Sequence, residues 1–275
     1  MSPTWTSETP PDRWSLTAAG ALRILLRGAA LFVVVFGGLL ILLALRLVER
    51  PLHNAHRPWT PFVTVTVCRL ALRIIGLRVE TTGAPMNHDG AIVANHSTWL
   101  DIFVLNAAAP LYFVAKSEVS GWAGIGWLAR ATGTVFVRRE RREAHAQKSE
   151  FEERLLDGHR LLFFPEGTST DGACVLPFKP TLFAAFFSDA LRDKLWIQPV
   201  SVRYVATDGE KPRHYAWWGE MEFAGHLLKI LATARHGTAH VVWHPALKVA
   251  DFVDRKALAR AAETAVRDGH ALSVP

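Results

Sequence analysis

The chain of 275 residues is long enough for one large domain or two small ones, and half of its residues are hydrophobic. One fifth are charged, which excludes a multi-span transporter. The net charge of +6 and the isoelectric point near 9.6 favour an anionic partner, such as lipid head groups, nucleic acid or an acidic carrier protein. Cys68 and Cys174 lie far apart without metal-binding spacing, so we interpret them as reduced cysteines of a domain that faces the cytosol.

The N-terminal part of the chain predicts a membrane anchor. Residues 1–20 are rich in Pro, Ser and Thr, and we expect them to be flexible. From Gly28 to Leu45, 18 residues carry no charge. As a helix they would span about 27 Å, close to the hydrocarbon thickness of a bilayer. The following "RLVERP" has no small-residue cleavage site, which favours a retained anchor over a cleaved signal peptide. Arginines bracket the run on both sides, so they do not indicate its orientation.

A second segment, Trp59 to Glu80, is apolar but interrupted by arginines. Arg69 and Arg73 are four residues apart and share one face of a helix. An amphipathic helix in the membrane surface and a helix packed on the protein core both explain this pattern. We therefore predict that residues 21–80 form a membrane anchor and an amphipathic helical segment, followed by a globular domain in residues 81–275.

Short apolar runs recur after residue 80 and predict strands. They are unbroken rather than alternating, which is typical of strands buried on both faces. The runs are residues 91–95, 111–116, 134–139, 160–167, 196–204 and 240–244. Segments of helix length lie between several of them or follow the last: 98–108, 120–131, 143–158, 180–192 and 252–268. This alternation predicts an α/β fold with a largely parallel sheet flanked by helices, in which ligands bind at the carboxyl ends of the strands.

The stretch "NHSTWLD" (residues 95–101) places polar side chains directly after the apolar run "AIVA". If Thr98 caps a helix, Asp101 lies at the third helical position, where a carboxylate caps backbone amides. Capping does not explain His96, which would have to fold back over the first turn for Asp101 to orient its imidazole. The chain has no G-x-S-x-G motif, so such a pair favours a substrate hydroxyl as the nucleophile, deprotonated by His96. Both interpretations remain open from spacing alone.

The stretch "FPEGTST" (residues 164–170) also follows a predicted strand. Gly167 would let backbone approach a ligand, and Glu166 would hydrogen-bond hydroxyl groups. A surface turn explains the same residues. This stretch is therefore a second candidate for the site.

Three histidines recur every four residues near the C-terminus: His236, His240 and His244. On a helix they would form one metal-binding face. The intervening "HVVW" is more typical of a strand, so we predict no metal site there.

Four blocks of the sequence, in order, resemble the motifs of the glycerolipid acyltransferases, the lysophosphatidate (1-acyl-sn-glycerol-3-phosphate) acyltransferase family. "NHSTWLD" matches N-H-x4-D, and "FPEGTST" is similar to F-P-E-G-T-R-S. "GTVFVRR" (residues 133–139) resembles the second block, and "IQPVSV" (residues 197–202) resembles the fourth, an apolar block with a Pro. The blocks cover about residues 90–205, and the predicted anchor fits enzymes that act on membrane lipids.

The resemblance implies that His96 is the general base on the acceptor hydroxyl and that Asp101 orients it. The hydroxyl would attack the thioester of acyl-CoA or acyl carrier protein without forming an acyl-enzyme. Backbone amides near Gly167 or at Thr98 would stabilise the oxyanion. No metal or other cofactor is required. The residues implied to bind the acceptor come from the second and third blocks: Arg139, Glu166, Gly167 and Thr168.

The implied reaction moves a fatty acyl group to the free hydroxyl of a lysolipid, making phosphatidate from 1-acylglycerol-3-phosphate. We expect it at the cytoplasmic face of the inner membrane, on a single-span or monotopic protein with no nucleic-acid partner. A catalytically inactive lipid-binding protein is a distant alternative.

Two departures from the family pattern bear on the acceptor. Arg138 replaces the usual Asp or Asn of the second block, and Ser169 replaces the Arg that follows "EGT". If that Arg grips phosphate, its loss favours an acceptor without phosphate. "EGTSTDG" and "YAWWGEMEF" resemble the bacterial branch that acylates lyso-ornithine lipid, which has an amino-acid head group. Lysophosphatidate and lyso-ornithine lipid remain alternatives.

Overall fold

A computed structural model of the protein describes residues 5–11, 14–137 and 144–272, without the side chains of residues 144–149 and 272. The strands within these ranges are β1 (Arg78–Thr82), β2 (Gly90–Ala94), β3 (Tyr112–Lys116), β4 (Val135–Val137), β5 (Leu161–Phe163), β6 (Trp196–Val205), β7 (Thr238–Trp243) and β8 (Leu247–Lys248). They form one sheet in the order β1-β7-β6-β2-β5-β3-β4, with β8 paired to β6. Strands β2 to β6 run parallel to one another, whereas β7 and β8 run antiparallel to β6.

Helices cover both faces of the sheet. They are α1 (Ala18–His53), α2 (Thr60–Ile75), α3 (Leu100–Ala108), α4 (Ile125–Ala131), α5 (Ala144–Leu156), α6 (Phe223–Ala232) and α7 (Arg255–Leu272), with 3₁₀ turns at Ser117–Gly121, Pro180–Phe187 and Val249–Asp251. One buried cluster lies between the sheet and the layer of α2, α3 and α6. The other lies beneath α5, α7 and the turn Pro180–Phe187. This two-sided burial explains why the parallel strands are unbroken apolar runs.

The predicted α/β fold is confirmed, and each of the six predicted strands overlaps an observed one. Four elements differ, of which the shortest is the two-residue strand β8, which was not predicted. Strand β1 was expected to be the end of a helix; its residues are largely exposed and carry no apolar pattern, because it lies at the sheet edge. The segment 180–192 contains a 3₁₀ turn instead of an α-helix. Helix α6 was not predicted; it connects the antiparallel neighbours β6 and β7.

Helix α2 contains Arg69 and Arg73, and of the two explanations for their spacing the structure supports a helix packed on the protein core. Its inner face is buried at Val65, Cys68 and Leu72, and it packs against α1 and α3. Arg69 donates its Nε–H to the carbonyl oxygen of Ala107, at 2.8 Å. Gly76, with a φ of 90°, ends the helix in the left-handed conformation that favours glycine.

Helix α1 is long and apolar enough to cross a membrane, and only 11% of its most apolar 18 residues are buried. Nevertheless, the globular domain holds both of its ends. Near the N-terminal end, Arg23 donates to the carbonyl oxygen of Ala232 at 2.7 Å, at the C-terminus of α6. Near the other end, the buried Glu49 accepts the backbone amides of Trp59 and Thr60 at 2.7 and 3.0 Å, and so caps α2. Just beyond this end, Arg57 donates to the carbonyl oxygen of Ala131 in α4 at 2.9 Å, so both ends of α1 lie against the same domain.

Candidate active site

The stretch "NHSTWLD" lies at the carboxyl end of β2, in the middle of the sheet. Asn95 joins this end to β6 through two hydrogen bonds: its Nδ2 donates to the Val202 carbonyl, and its Oδ1 accepts the Val202 amide, both at 2.8 Å. The chain then leaves the sheet, and α3 begins at Leu100. His96 thus lies between the strand and the helix, where it folds back onto Asp101. The distance between His96 Nδ1 and Asp101 Oδ2 is 2.8 Å.

Asp101 is fully buried, and its carboxylate accepts hydrogen bonds from four groups. Besides His96, Oδ2 accepts the backbone amides of Ser97 and Thr98, at 2.9 and 3.1 Å. Its other oxygen, Oδ1, accepts the Tyr204 hydroxyl at 2.7 Å. Asp101 therefore holds the turn that leads into α3 and orients His96 at the same time, while the position before the helix is Trp99 and not Thr98. The four donors compensate for the burial of a charge.

The contact with Asp101 determines which imidazole nitrogen of His96 is the base. An ionised carboxylate only accepts hydrogen bonds, so Nδ1 carries the proton and Nε2 keeps a free lone pair. Among the described residues, Nε2 has no hydrogen-bond partner, and 18% of the His96 side chain is exposed. Phe164 stacks on the imidazole with a centroid distance of 4.1 Å, which limits rotation of the ring. The arrangement can accept a proton from a bound hydroxyl.

The stretch "FPEGTST" holds the backbone of His96 from both sides. The His96 amide donates to Glu166 Oε1 at 2.6 Å, and the His96 carbonyl accepts the Thr170 amide at 3.0 Å. The other oxygen of Glu166 accepts the Leu176 amide at 2.7 Å. Glu166 is only 1% exposed, so its observed contacts are those of a positioning residue. The predicted contact between Glu166 and the acceptor finds no support in this geometry and stays a prediction.

The pKa of Glu166 is raised to about 8, chiefly because burial disfavours the charged form. The amides of Leu176 and His96 oppose this shift, and the neighbouring charge of Asp101 adds to it. Glu166 is therefore poised to hold a proton near neutral pH while its oxygens still accept the two amides.

The other residues implied to bind the acceptor are Gly167, Thr168 and Arg139, of which the structure describes the first two. Gly167 has a φ of 71°, and a Cβ there would lie 2.5 Å from Lys179 Nζ, so the glycine lets Lys179 approach the loop. Thr168 is half-buried beside it. Contact of Gly167 and Thr168 with the acceptor stays a prediction. Arg139, together with Arg138, lies outside the described residues.

The two amides suggested for the oxyanion are already engaged. The Thr98 amide donates to Asp101, and the Gly167 amide donates to the Phe164 carbonyl at 3.0 Å. These two amides are therefore satisfied in this conformation, and stabilisation of the oxyanion by another amide near Gly167 stays a prediction.

Tyr204 is the main site residue that sequence reasoning missed. It lies on β6, two residues beyond the fourth block, and its hydroxyl reaches Asp101. Burial raises its pKa well above the usual value, and the charge of Asp101 acts in the same direction. The hydroxyl therefore keeps its proton and remains a donor. In the sequence, the one signal for this residue is its position two residues after "IQPVSV". The structure shows that this block lies on a strand paired with β2.

The three C-terminal histidines do not share a metal site. His240 lies on β7 with its Nδ1 3.4 Å from Glu80, and the Nε2 of His244 lies 2.7 Å from the hydroxyl of Ser201. Across the described residues, no three His, Cys, Asp or Glu side chains are grouped to hold a metal ion.

Comparison with known proteins decides the family. A sequence model described as "Acyltransferase" matches residues 77–203. The chain is 58% identical to the lyso-ornithine lipid O-acyltransferase of Rhodobacter capsulatus, over 97% of each chain. The chain belongs to the acyltransferase family. It is a lysolipid acyltransferase, as the four blocks predicted.

Two further relatives of the acyltransferase place it among lipid-synthesis enzymes of known fold. The 1-acyl-sn-glycerol-3-phosphate acyltransferase of Neisseria gonorrhoeae is 37% identical over 52% of the chain and 54% of that protein. The crystal structure of the 1-acyl-sn-glycerophosphate acyltransferase of Thermotoga maritima matches with a TM-score of 0.66 at 21% identity. It covers 93% of the acyltransferase and 97% of its own chain, so the two share a fold that includes the N-terminal helices.

Proposed function

We propose that this acyltransferase uses His96 as the general base and forms no acyl-enzyme. Nε2 takes the proton of the acceptor hydroxyl while its oxygen attacks the carbonyl carbon of the acyl thioester. A C–O bond forms, the C–S bond breaks, and the proton passes from His96 to the departing thiolate. The single observation that carries this proposal is the 2.8 Å contact of His96 Nδ1 with the buried Asp101, which leaves Nε2 as the base.

The acceptor proposed here is lyso-ornithine lipid. The relative of that name matches over almost the whole of both chains, whereas the lysophosphatidate enzyme from Neisseria matches over about half. Ser169 lies in the stretch "FPEGTST", which holds the backbone of His96, at the position where the lysophosphatidate family has Arg. The neutral Ser169 hydroxyl cannot form an ion pair with the phosphate dianion of lysophosphatidate. The amino-acid head group of lyso-ornithine lipid carries both a carboxylate and an ammonium, so it does not depend on an arginine at this position. The donor is acyl-CoA or acyl carrier protein, and no metal or cofactor takes part.

An acceptor panel tests this assignment. Purified full-length protein in detergent is given lyso-ornithine lipid or lysophosphatidate, each with acyl-CoA and with acyl carrier protein as donor. We expect kcat/KM to favour lyso-ornithine lipid by at least about tenfold, because one missing charge-assisted hydrogen bond is worth that much. Ser169→Arg is the matched variant and should narrow the ratio. A wild-type preference for lysophosphatidate would contradict the assignment, while leaving the role of His96 intact.

We further propose that the protein is monotopic at the cytoplasmic face of the inner membrane, with α1 lying in one leaflet. Residues on both sides of the apolar stretch of α1 contact the same domain, which supports this proposal. Ser7 donates to Asp171 Oδ2 at 2.9 Å, ahead of α1, and beyond its other end Arg57 donates to the carbonyl oxygen of Ala131 in α4 at 2.9 Å. A helix crossing the bilayer would separate these contacts by about 30 Å of hydrocarbon. Side chains on α1 such as Phe32 and Leu40 are exposed and would face lipid.

Cysteine labelling distinguishes the two topologies. The native Cys174 is exposed and reports on the catalytic domain, and Cys68 is buried. Ser15→Cys in a Cys174→Ser background reports on the segment before α1. We expect a membrane-impermeant maleimide to label both positions in inside-out vesicles and neither in intact spheroplasts. Labelling of Ser15→Cys alone from outside the spheroplast would show that α1 spans the membrane.

A further inference from the structure

A cationic cavity lies at the N-terminal end of α1, beyond the catalytic site. Its volume is about 590 Å³, and it is open to solvent. Three arginines line it from different elements: Arg27 from α1, Arg78 from the start of β1, and Arg235 from the loop before β7. The one carboxylate in its lining is Asp208, so three positive charges and one negative charge give the cavity a net charge of +2.

Within the described part of the chain, the three arginines form no ion pair with a carboxylate, so their charges can act on a ligand. Arg27 is held in place because its Nη1 donates to the carbonyls of Leu231 and Thr233, at 3.1 and 2.6 Å. Arg78 and Arg235 are exposed, and within the described ranges of the chain neither forms an ion pair. A cluster of like charges repels itself unless an anion binds between them.

His236 is a buried polar side chain in the same lining, and it lacks a hydrogen-bond partner. It is 6% exposed, and in the described structure neither ring nitrogen makes a hydrogen bond. The backbone of Ile230 interacts with the ring and acts to raise its pKa. Burial, with the charge of Arg27, lowers the pKa of His236 to about 4. At neutral pH the ring is therefore uncharged and offers one N–H donor. Leaving it unpaired costs free energy, which a ligand in the cavity would recover.

The surroundings indicate the class of ligand. Guanidinium groups match the oxygens of a phosphate in charge and geometry. The volume exceeds that of a single phosphate and accommodates a larger head group. The apolar run of α1 begins at Gly28, directly after Arg27, and Leu25 and Leu26 are exposed beside it. A ligand whose phosphate reaches the arginines would thus have its acyl chains next to an apolar surface.

We propose that this cavity binds the phosphate group of an anionic membrane lipid, at a site distinct from the catalytic one. It lies at the same edge of the sheet as His96, because β6 runs past Tyr204 to the loop that lines it. Tyr215 bridges the two: its hydroxyl accepts the Gly237 amide at 2.7 Å, and its ring lies 5.8 Å from that of His236 and 5.5 Å from that of Tyr204. A bound lipid would hold the catalytic edge against the membrane surface.

Calorimetric titration of the full-length protein in non-ionic detergent tests the proposal. The probes are dihexanoyl phosphatidylglycerol, dihexanoyl phosphatidylcholine and inorganic phosphate. We expect phosphatidylglycerol to bind most tightly, and Arg78→Gln/Arg235→Gln to weaken it at least about tenfold through the loss of two charged donors. The matched control is Arg255→Gln/Arg260→Gln, which removes two exposed charges from α7 on the other face of the sheet. It should change the affinity less than twofold.

Two outcomes of this titration would contradict the proposal. Equal affinity of wild type and Arg78→Gln/Arg235→Gln for phosphatidylglycerol would overturn the site. Inorganic phosphate that binds as tightly, with the same dependence on the two arginines, would assign the cavity to free phosphate and overturn the lipid assignment. If the double variant does not fold, the single variants Arg78→Gln and Arg235→Gln give the same test. Each should weaken binding about threefold or more, since each removes one charged donor that is exposed and screened by solvent.

Discussion

Replacing His96 with Ala is expected to lower kcat/KM for acyl transfer by about 10³-fold, within the range for loss of a general base. The variant keeps Asp101, Glu166 and the turn that leads into α3, so the free energy of unfolding should change little. What it loses is Nε2 of the imidazole that Asp101 orients, the atom proposed to take the proton of the acceptor hydroxyl. The measurement is steady-state transfer of a labelled acyl chain to lyso-ornithine lipid in detergent.

The chain offers a matched control for this variant. His88 is an exposed histidine in "NHDG", a second Asn-His pair just ahead of β2. His88→Ala removes an imidazole from a position away from the carboxyl edge of the sheet and should keep wild-type turnover. Full activity of His96→Ala would rule out the proposed mechanism. A melting temperature close to that of the wild type in both variants ensures that a lost rate reflects chemistry.

Asp101→Asn is expected to lower kcat by on the order of 10²- to 10⁴-fold, with a smaller effect on the KM of the acceptor. The side chain is fully buried and touches His96 and not the solvent, so it should act through the imidazole. An amide cannot stabilise the imidazolium that forms when His96 accepts a proton. If its NH₂ group faces Nδ1, it also selects the wrong tautomer, with the lone pair on Nδ1 and the proton on Nε2.

Tyr204→Phe separates this effect from general disturbance of the buried network. It removes one of the four hydrogen bonds to Asp101 but leaves the charge and the contact with His96. The loss of one such bond should lower kcat by less than about tenfold. Comparable losses in Asp101→Asn and Tyr204→Phe would contradict a specific role for the Asp101 charge. An Asp101→Asn loss confined to KM would instead place Asp101 in acceptor binding.

The positions of the strands followed from the sequence because burial on both faces leaves a local mark. Each parallel strand is an apolar run, and its polar residues gather where it ends, as at Asn95 and His96. Strand β1 had no such mark because it lies at an edge and is largely exposed. The pattern of apolar residues also left α2 ambiguous, since a face packed on α1 and α3 and a face immersed in lipid require the same side chains.

The sequence by itself determined the fold class, the long apolar helix α1 and, through four short blocks, the lysolipid acyltransferase family, and it paired His96 with Asp101. Those features are local, because residues within one turn or one strand impose them. Only the tertiary structure decided that Glu166 positions His96, that Tyr204 holds Asp101 and that both ends of α1 return to one domain. These contacts join residues 70 to 103 positions apart or distant helices. They depend on β5 and β6 flanking β2, a strand order that the local sequence does not encode.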